Sequence, residues 1–108
     1  MATKYSYKFL PKAEKDLDGI VLYIEQELCN PKAAKDFSTA LKKKLDNARE
    51  YPLSGRAAGN EFVSDKTLRK FTVGRYIVFY RPDKETETII VVRIVYGGMN
   101  VDEILKMI

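Results

Sequence analysis

The sequence predicts an α+β fold in the order β-α-α-β-β-β-α, with a helical hairpin packed on a mostly antiparallel four-stranded sheet. Three observations carry that reading. Two apolar stripes of helical period flank an Asn30-Pro31 break, three β-type runs crowd into Leu68 to Asn100, and an alternating segment precedes the first helix. At 108 residues the chain is read as one domain spanning 1–108, long enough to bury a core without disulfides.

Each element has its own residue-level cause. In Thr3 to Phe9, Tyr5, Tyr7 and Phe9 share one face while Lys4, Ser6 and Lys8 share the other. Pro11 closes that strand and suits the first turn of a helix. Ala13, Leu17, Ile20, Ile24 and Leu28 then recur at helical spacing with Val21 beside them, and Glu14 and Asp16 sit near the positive end of the helix. Asn30 is placed to cap the next helix and Pro31 to open it, with Ala33, Phe37, Ala40, Leu41, Leu45 and Ala48 as its apolar side. So short a connection makes the two helices antiparallel neighbours. Lys42, Lys43 and Lys44 read as a solvated face helped by the negative helix end.

Tyr51 to Asn60 carries the Gly, Pro and Ser of a loop, and Glu61 to Asp65 is ambiguous. Strands follow at Leu68 to Val73 and Arg75 to Arg81, divided by Gly74. After a polar turn, Thr88 to Tyr96 is nearly all apolar, as in a central strand. Gly97-Gly98 ends it. Val101, Ile104, Leu105 and Ile108 then mark a short terminal helix.

Composition narrows the chemistry. The net charge is +4, which suits a nucleic acid or an acidic protein partner. One cysteine excludes an internal disulfide, and the absence of histidine argues against a zinc site of the usual ligands. No cofactor or metal is expected. No run approaches a membrane span, so a cytoplasmic protein is expected.

From Lys66 to Arg81 every charged residue is basic: Lys66, Arg69, Lys70, Arg75 and Arg81. Arginines on a sheet clamp oxyanions through the guanidinium fork. Strand alternation puts Arg69 and Lys70 on opposite faces. Tyr76, Phe79 and Tyr80 are interleaved, either as core or as a nucleic-acid stacking surface. Arg93 interrupts IIVVRIVY on the side of Ile89, Val91 and Val95. It is either paired with an acid such as Glu61 or a binding residue. If the chain is a nuclease, its catalytic candidates are Arg69, Lys70, Arg75 and Arg81.

The ordered set PKAEKDLDGIVLYI, NPKAAKDF, YPLSGR, LRKFTVGRYIVFYRPD and IIVVRIVYGGMNVDEIL resembles the RelE/ParE toxins of bacterial type II toxin–antitoxin modules. That resemblance implies a RelE/ParE-like fold and a toxin neutralised by a cognate antitoxin in a hetero-oligomeric complex. It implies DNA gyrase or ribosome-bound messenger RNA as the target. RelE-like members keep an arginine after the hairpin tyrosine and another after the last strand, where this chain has Ile77 and Met99, and a C-terminal tyrosine that has no counterpart after Tyr96. ParE-like members usually keep a histidine and an arginine–aspartate pair where Tyr96 and Met99-Asn100 stand. The ParE-like branch is favoured, with Arg69, Arg75, Tyr80, Arg81, Arg93 and Tyr96 as candidate antitoxin- or target-binding residues. A RelE-like endoribonuclease and a non-toxic co-repressor that only binds the antitoxin are the alternatives.

Overall fold

The structure, a computed structural model, describes residues 4–58, 67–98 and 101–106. Strand β1 (Ser6–Phe9) leads into helix α1 (Pro11–Leu22), which continues as a π-helical turn (Tyr23–Glu27). Helix α2 (Pro31–Glu50) returns antiparallel to it. Strands β2 (Arg56–Ala57), β3 (Arg69–Val73), β4 (Tyr76–Asp83) and β5 (Thr88–Tyr96) follow, then helix α3 (Val101–Lys106).

The sheet runs β1-β5-β4-β3-β2. It therefore has five strands rather than four, because Arg56 and Ala57, expected in a loop, pair with Lys70 and Arg69. All neighbours are antiparallel except β1 and β5, which run parallel from Ser6 opposite Thr88 to Phe9 opposite Val91. β5 thus lies between two strands, and Ile89 to Val92 are all buried. That explains its unbroken apolar run.

The two faces of the sheet have separate cores. The helical hairpin packs Ala13, Ile24, Phe37, Leu41 and Leu45 against Val78, Tyr80, Ile89, Val91 and Ile94. On the opposite face Ile104 and Leu105 of α3 meet Leu68, Phe79, Val92 and Val95. The hairpin connection matches its sequence signals. Asn30 Oδ1 accepts from Ala33 N–H at 3.1 Å, and Pro31 is the first helical residue.

Several details depart from the sequence reading, each for a local reason. Leu28 is 55% exposed rather than part of the stripe, because the π-helical turn rotates the residues after it away from the core. In α2 it is Ala34, not Ala40, that is buried. A bulge at Phe79/Tyr80 breaks the alternation, pairing Phe79 with Arg93 but Tyr80 with Val91. Arg93 therefore shares a face with Val95 and not with Ile89 and Val91. Thr3, Glu61 to Lys66, Met99, Asn100 and Ile108 lie outside the described residues.

Candidate functional site

An open groove of about 860 Å³ lies between the end of α1, the β3–β4 turn and the end of β5. Local backbone chemistry shapes it. Gly74, at φ +58°, makes the two-residue β3–β4 connection that sets Arg75 on the rim. On the facing wall Gly19 has no side chain, and a Cβ there would meet no atom within 4 Å. The helix therefore leaves the groove open at that point.

Aromatic side chains line the floor. Phe37 meets the Tyr76 ring edge-on at 5.2 Å, and Tyr76 lies 5.8 Å from Tyr96. Tyr23 and Tyr96 are 50% and 43% exposed, so two large rings stand open to solvent. Burial, then the neighbouring Tyr23 and Tyr96, hold the Tyr76 hydroxyl above its ordinary pKa and therefore neutral. Lys15 and Arg75 stand exposed on the rim, and no acid lies within ion-pair distance of either among the described residues. The site is thus an apolar floor under a positive rim.

Arg93 also borders this groove, but its guanidinium is engaged. Nε and Nη2 donate to the two carboxylate oxygens of Asp16 at 2.8 and 3.2 Å. The Ile94 N–H donates to Asp16 Oδ2 at 3.0 Å. The reason is topological: β1 pairs with β5 only as far as Val91, so beyond it the edge of β5 lies open. Asp16, one turn into α1, covers that edge. Among the described residues the acid that pairs with Arg93 is Asp16; Glu61, the acid suggested by the sequence, lies outside them.

Arg69 and Tyr80 form a second constellation, a clasp on the loop after α2. Tyr80 is wholly buried. Its hydroxyl accepts from Gly55 N–H at 2.9 Å and donates to the Pro52 carbonyl at 3.0 Å. Arg69 Nη1 donates to the Gly55 and Leu53 carbonyls at 2.6 and 3.2 Å. Lys70 faces the other side of the sheet, directly opposite Arg56 and Phe79. Arg81, two residues from Phe79, shares that face. The fold thus brings Arg75 and Tyr96 into the groove beside the Arg93–Asp16 pair. It puts Arg69 and Tyr80 in the clasp, and leaves Lys70 and Arg81 across the sheet. The four candidate nuclease residues do not converge on one point.

Sequence reasoning missed Lys15, Asp16, Gly19 and Tyr23 as parts of a site. Gly19 carried the readable signal, as an isolated glycine within an otherwise regular helical stripe. Among the described residues no three metal-ligating side chains come together.

The family model for the ParE toxin of the type II toxin–antitoxin system, parDE, matches residues 7–101. The chain belongs to the ParE toxin family. No curated protein matches it significantly by sequence. Among solved structures it resembles the chromosomal ParDE system of P. aeruginosa, at 20% identity and TM-score 0.66, covering 88% of this chain and 98% of that one. The RelBE2 toxin–antitoxin complex of Mycobacterium tuberculosis matches at 19% identity and TM-score 0.61, covering 86% and 98%. The isolated E. coli RelE toxin matches at 17% identity and TM-score 0.59, covering 95% and 97%. At these identities the structural likeness establishes the fold. The ParE family model establishes a type II toxin. No helix among the described residues is long and apolar enough to cross a membrane.

Proposed function

We propose that this ParE-family toxin acts in the cytoplasm by inhibiting DNA gyrase, and that a cognate antitoxin neutralises it by occupying the Tyr23–Tyr76–Tyr96 groove. The observation that carries the antitoxin half is the combination of exposed tyrosines on an apolar floor with the cations Lys15 and Arg75 on the rim, which have no ion-pair partner among the described residues. An amphipathic segment with apolar anchors and carboxylates complements both features, through burial and through charge. The solved relatives include toxin–antitoxin complexes, which supports a hetero-oligomer of the same kind here.

For the target, the gyrase reading is supported by the ParE family match and by the engagement of Arg69 and Arg93 in structural bonds. A nuclease built on Arg69, Lys70, Arg75 and Arg81 would need those groups around one phosphate, and they lie on different sides of the sheet. The purified toxin should inhibit supercoiling by purified gyrase and leave ribosome-bound messages intact. Added antitoxin should restore supercoiling. Message cleavage in a translation extract without gyrase inhibition would overturn the reading. It would favour the ribonuclease alternative, for which Lys70, Arg56 and Arg81 on the α3 face of the sheet are then the cations to vary.

A further inference from the structure

We propose that the outer face of α2 is a second interaction surface that binds the phosphate backbone of double-stranded DNA. Between Pro31 and Lys44, five lysines stand against the single acid Asp36, an excess of four positive charges and as large as the net charge of the whole chain. That segment is one of two strongly basic ones in the chain, the other being Lys66 to Arg81.

The lysines of that segment are not there to satisfy the fold. The buried side of α2 is Ala34, Phe37, Leu41, Leu45 and Ala48, and Lys35, Lys42, Lys43 and Lys44 are all exposed. Every acid of the helix already has a partner. Asp36 pairs with Lys32 at 3.2 Å, Asp46 with Arg49 at 3.2 Å, and Glu50 with Lys4 at 3.6 Å. Lys35, Lys42, Lys43 and Lys44 have no ion pair among the described residues. The helix dipole does not explain them either. Its effect fades within the last turn, and Lys42 to Lys44 lie more than one turn before Glu50.

Their arrangement suits a polyanion better than an isolated carboxylate. At 3.6 residues per turn, Lys35 and Lys42 lie within about 20° of one line and about 10 Å apart along the axis. Lys43 widens the same outward face. Lys44 lies about 200° around the helix from Lys42 and points elsewhere. Exposed ammonium groups along the outer side of one helix match repeating phosphates, which offer charge without shape. An acidic protein surface would be expected to bring apolar anchors as well, and this face offers none to receive them. The inference rests on the gyrase reading only for its setting, since gyrase works on DNA. The binding itself needs no gyrase.

The test is fluorescence anisotropy of a labelled mixed-sequence duplex of about 20 base pairs, with the full chain, between about 50 and 200 mM salt, the range over which such contacts weaken steeply. Binding is expected with a Kd near 10⁻⁶–10⁻⁴ M, of order, and a log–log salt slope of roughly −2 to −3 from three phosphate contacts. Neutralising Lys35, Lys42 and Lys43 together to Gln should weaken binding about tenfold or more at the lowest salt and flatten most of the slope. Lys42→Gln alone should weaken binding more than Lys44→Gln, although both change the net charge equally. Thermal melts of the variants report their folding. Absence of duplex binding by the unaltered chain at the lowest salt overturns the proposal. Equal losses for Lys42→Gln and Lys44→Gln overturn it too, since net charge and not this face would then be responsible. Gyrase inhibition without duplex binding would remove this surface and leave the gyrase reading standing.

Discussion

Asp16→Ala is the substitution for which the structure gives the most definite energetic consequence. The carboxylate accepts two hydrogen bonds from Arg93 and one from the Ile94 backbone N–H, at the point where β5 loses its partner strand. The Arg93 and Asp16 side chains are only 20% and 18% exposed. Truncation leaves a guanidinium largely out of water without a counter-charge, and strands a backbone donor. Breaking a fully buried pair costs about 3–5 kcal/mol, and an orphaned buried donor about 1–3 kcal/mol. The residual exposure lets water replace part of both, so the net loss should be about 2–4 kcal/mol. For a chain of this length that lowers Tm by roughly 10–20 °C. Urea unfolding followed by circular dichroism measures it. Asp16→Ala combined with Arg93→Met, which removes the stranded charge and keeps an apolar stem, should be more stable than Asp16→Ala alone. A loss under about 0.5 kcal/mol, or a double variant with purely additive losses, would refute the argument that this pair fixes α1 to β5.

The clasp predicts two further losses. Tyr80→Phe removes the group that satisfies both Gly55 N–H and the Pro52 carbonyl, and should cost about 1–3 kcal/mol in chemical denaturation. Gly55→Ala should cost at least as much, because a Cβ there would stand 2.5 Å from the Tyr80 hydroxyl oxygen and 2.9 Å from the Lys70 carbonyl. Tyr76 predicts a pH effect. Its folded pKa lies above the unfolded value near 10, chiefly through burial, so the folded state holds that proton more tightly. The corresponding stability is full below pH 10 and is lost as pH rises from there through the folded pKa. Tyr76→Phe should flatten that part of the stability-versus-pH curve, and an unchanged slope would count against the assignment.

Much of the architecture was legible because each segment carried its own period and punctuation. Asn30-Pro31 marked the hairpin with a cap and a first helical residue, and the apolar run of β5 announced a central strand covered on at least one face. The unreadable parts depend on relations between distant segments. Nothing local in Arg56-Ala57 signals a strand, since its pairing with β3 is decided by a loop that Tyr80 and Arg69 hold from across the sheet. The bulge at Phe79/Tyr80 likewise moved Arg93 to the other face, and no alternation rule could foresee it. The basic residues between Arg69 and Arg81 looked like one patch because they are close in sequence. In the fold Arg69 serves a loop, Arg75 a groove, and Lys70 and Arg81 the opposite face. Conversely, the groove joins Gly19 and Tyr23 of the helical hairpin to Tyr76 and Tyr96 of the sheet, a grouping that only tertiary structure creates.

The central claim is that this groove receives the antitoxin, and Gly19→Leu tests it most directly. The fold has room for the new side chain at its base, and replacing a helical glycine by leucine should stabilise the helix by roughly 0.5–1 kcal/mol. The side chain would nevertheless project into the space that the antitoxin segment is proposed to fill. A thermal melt should therefore give a Tm equal to or above that of the unaltered toxin, and calorimetric titration with the cognate antitoxin should show affinity reduced by about tenfold or more, or about 1.4 kcal/mol. A well-folded Gly19→Leu toxin that binds the antitoxin with unaltered affinity would contradict the account.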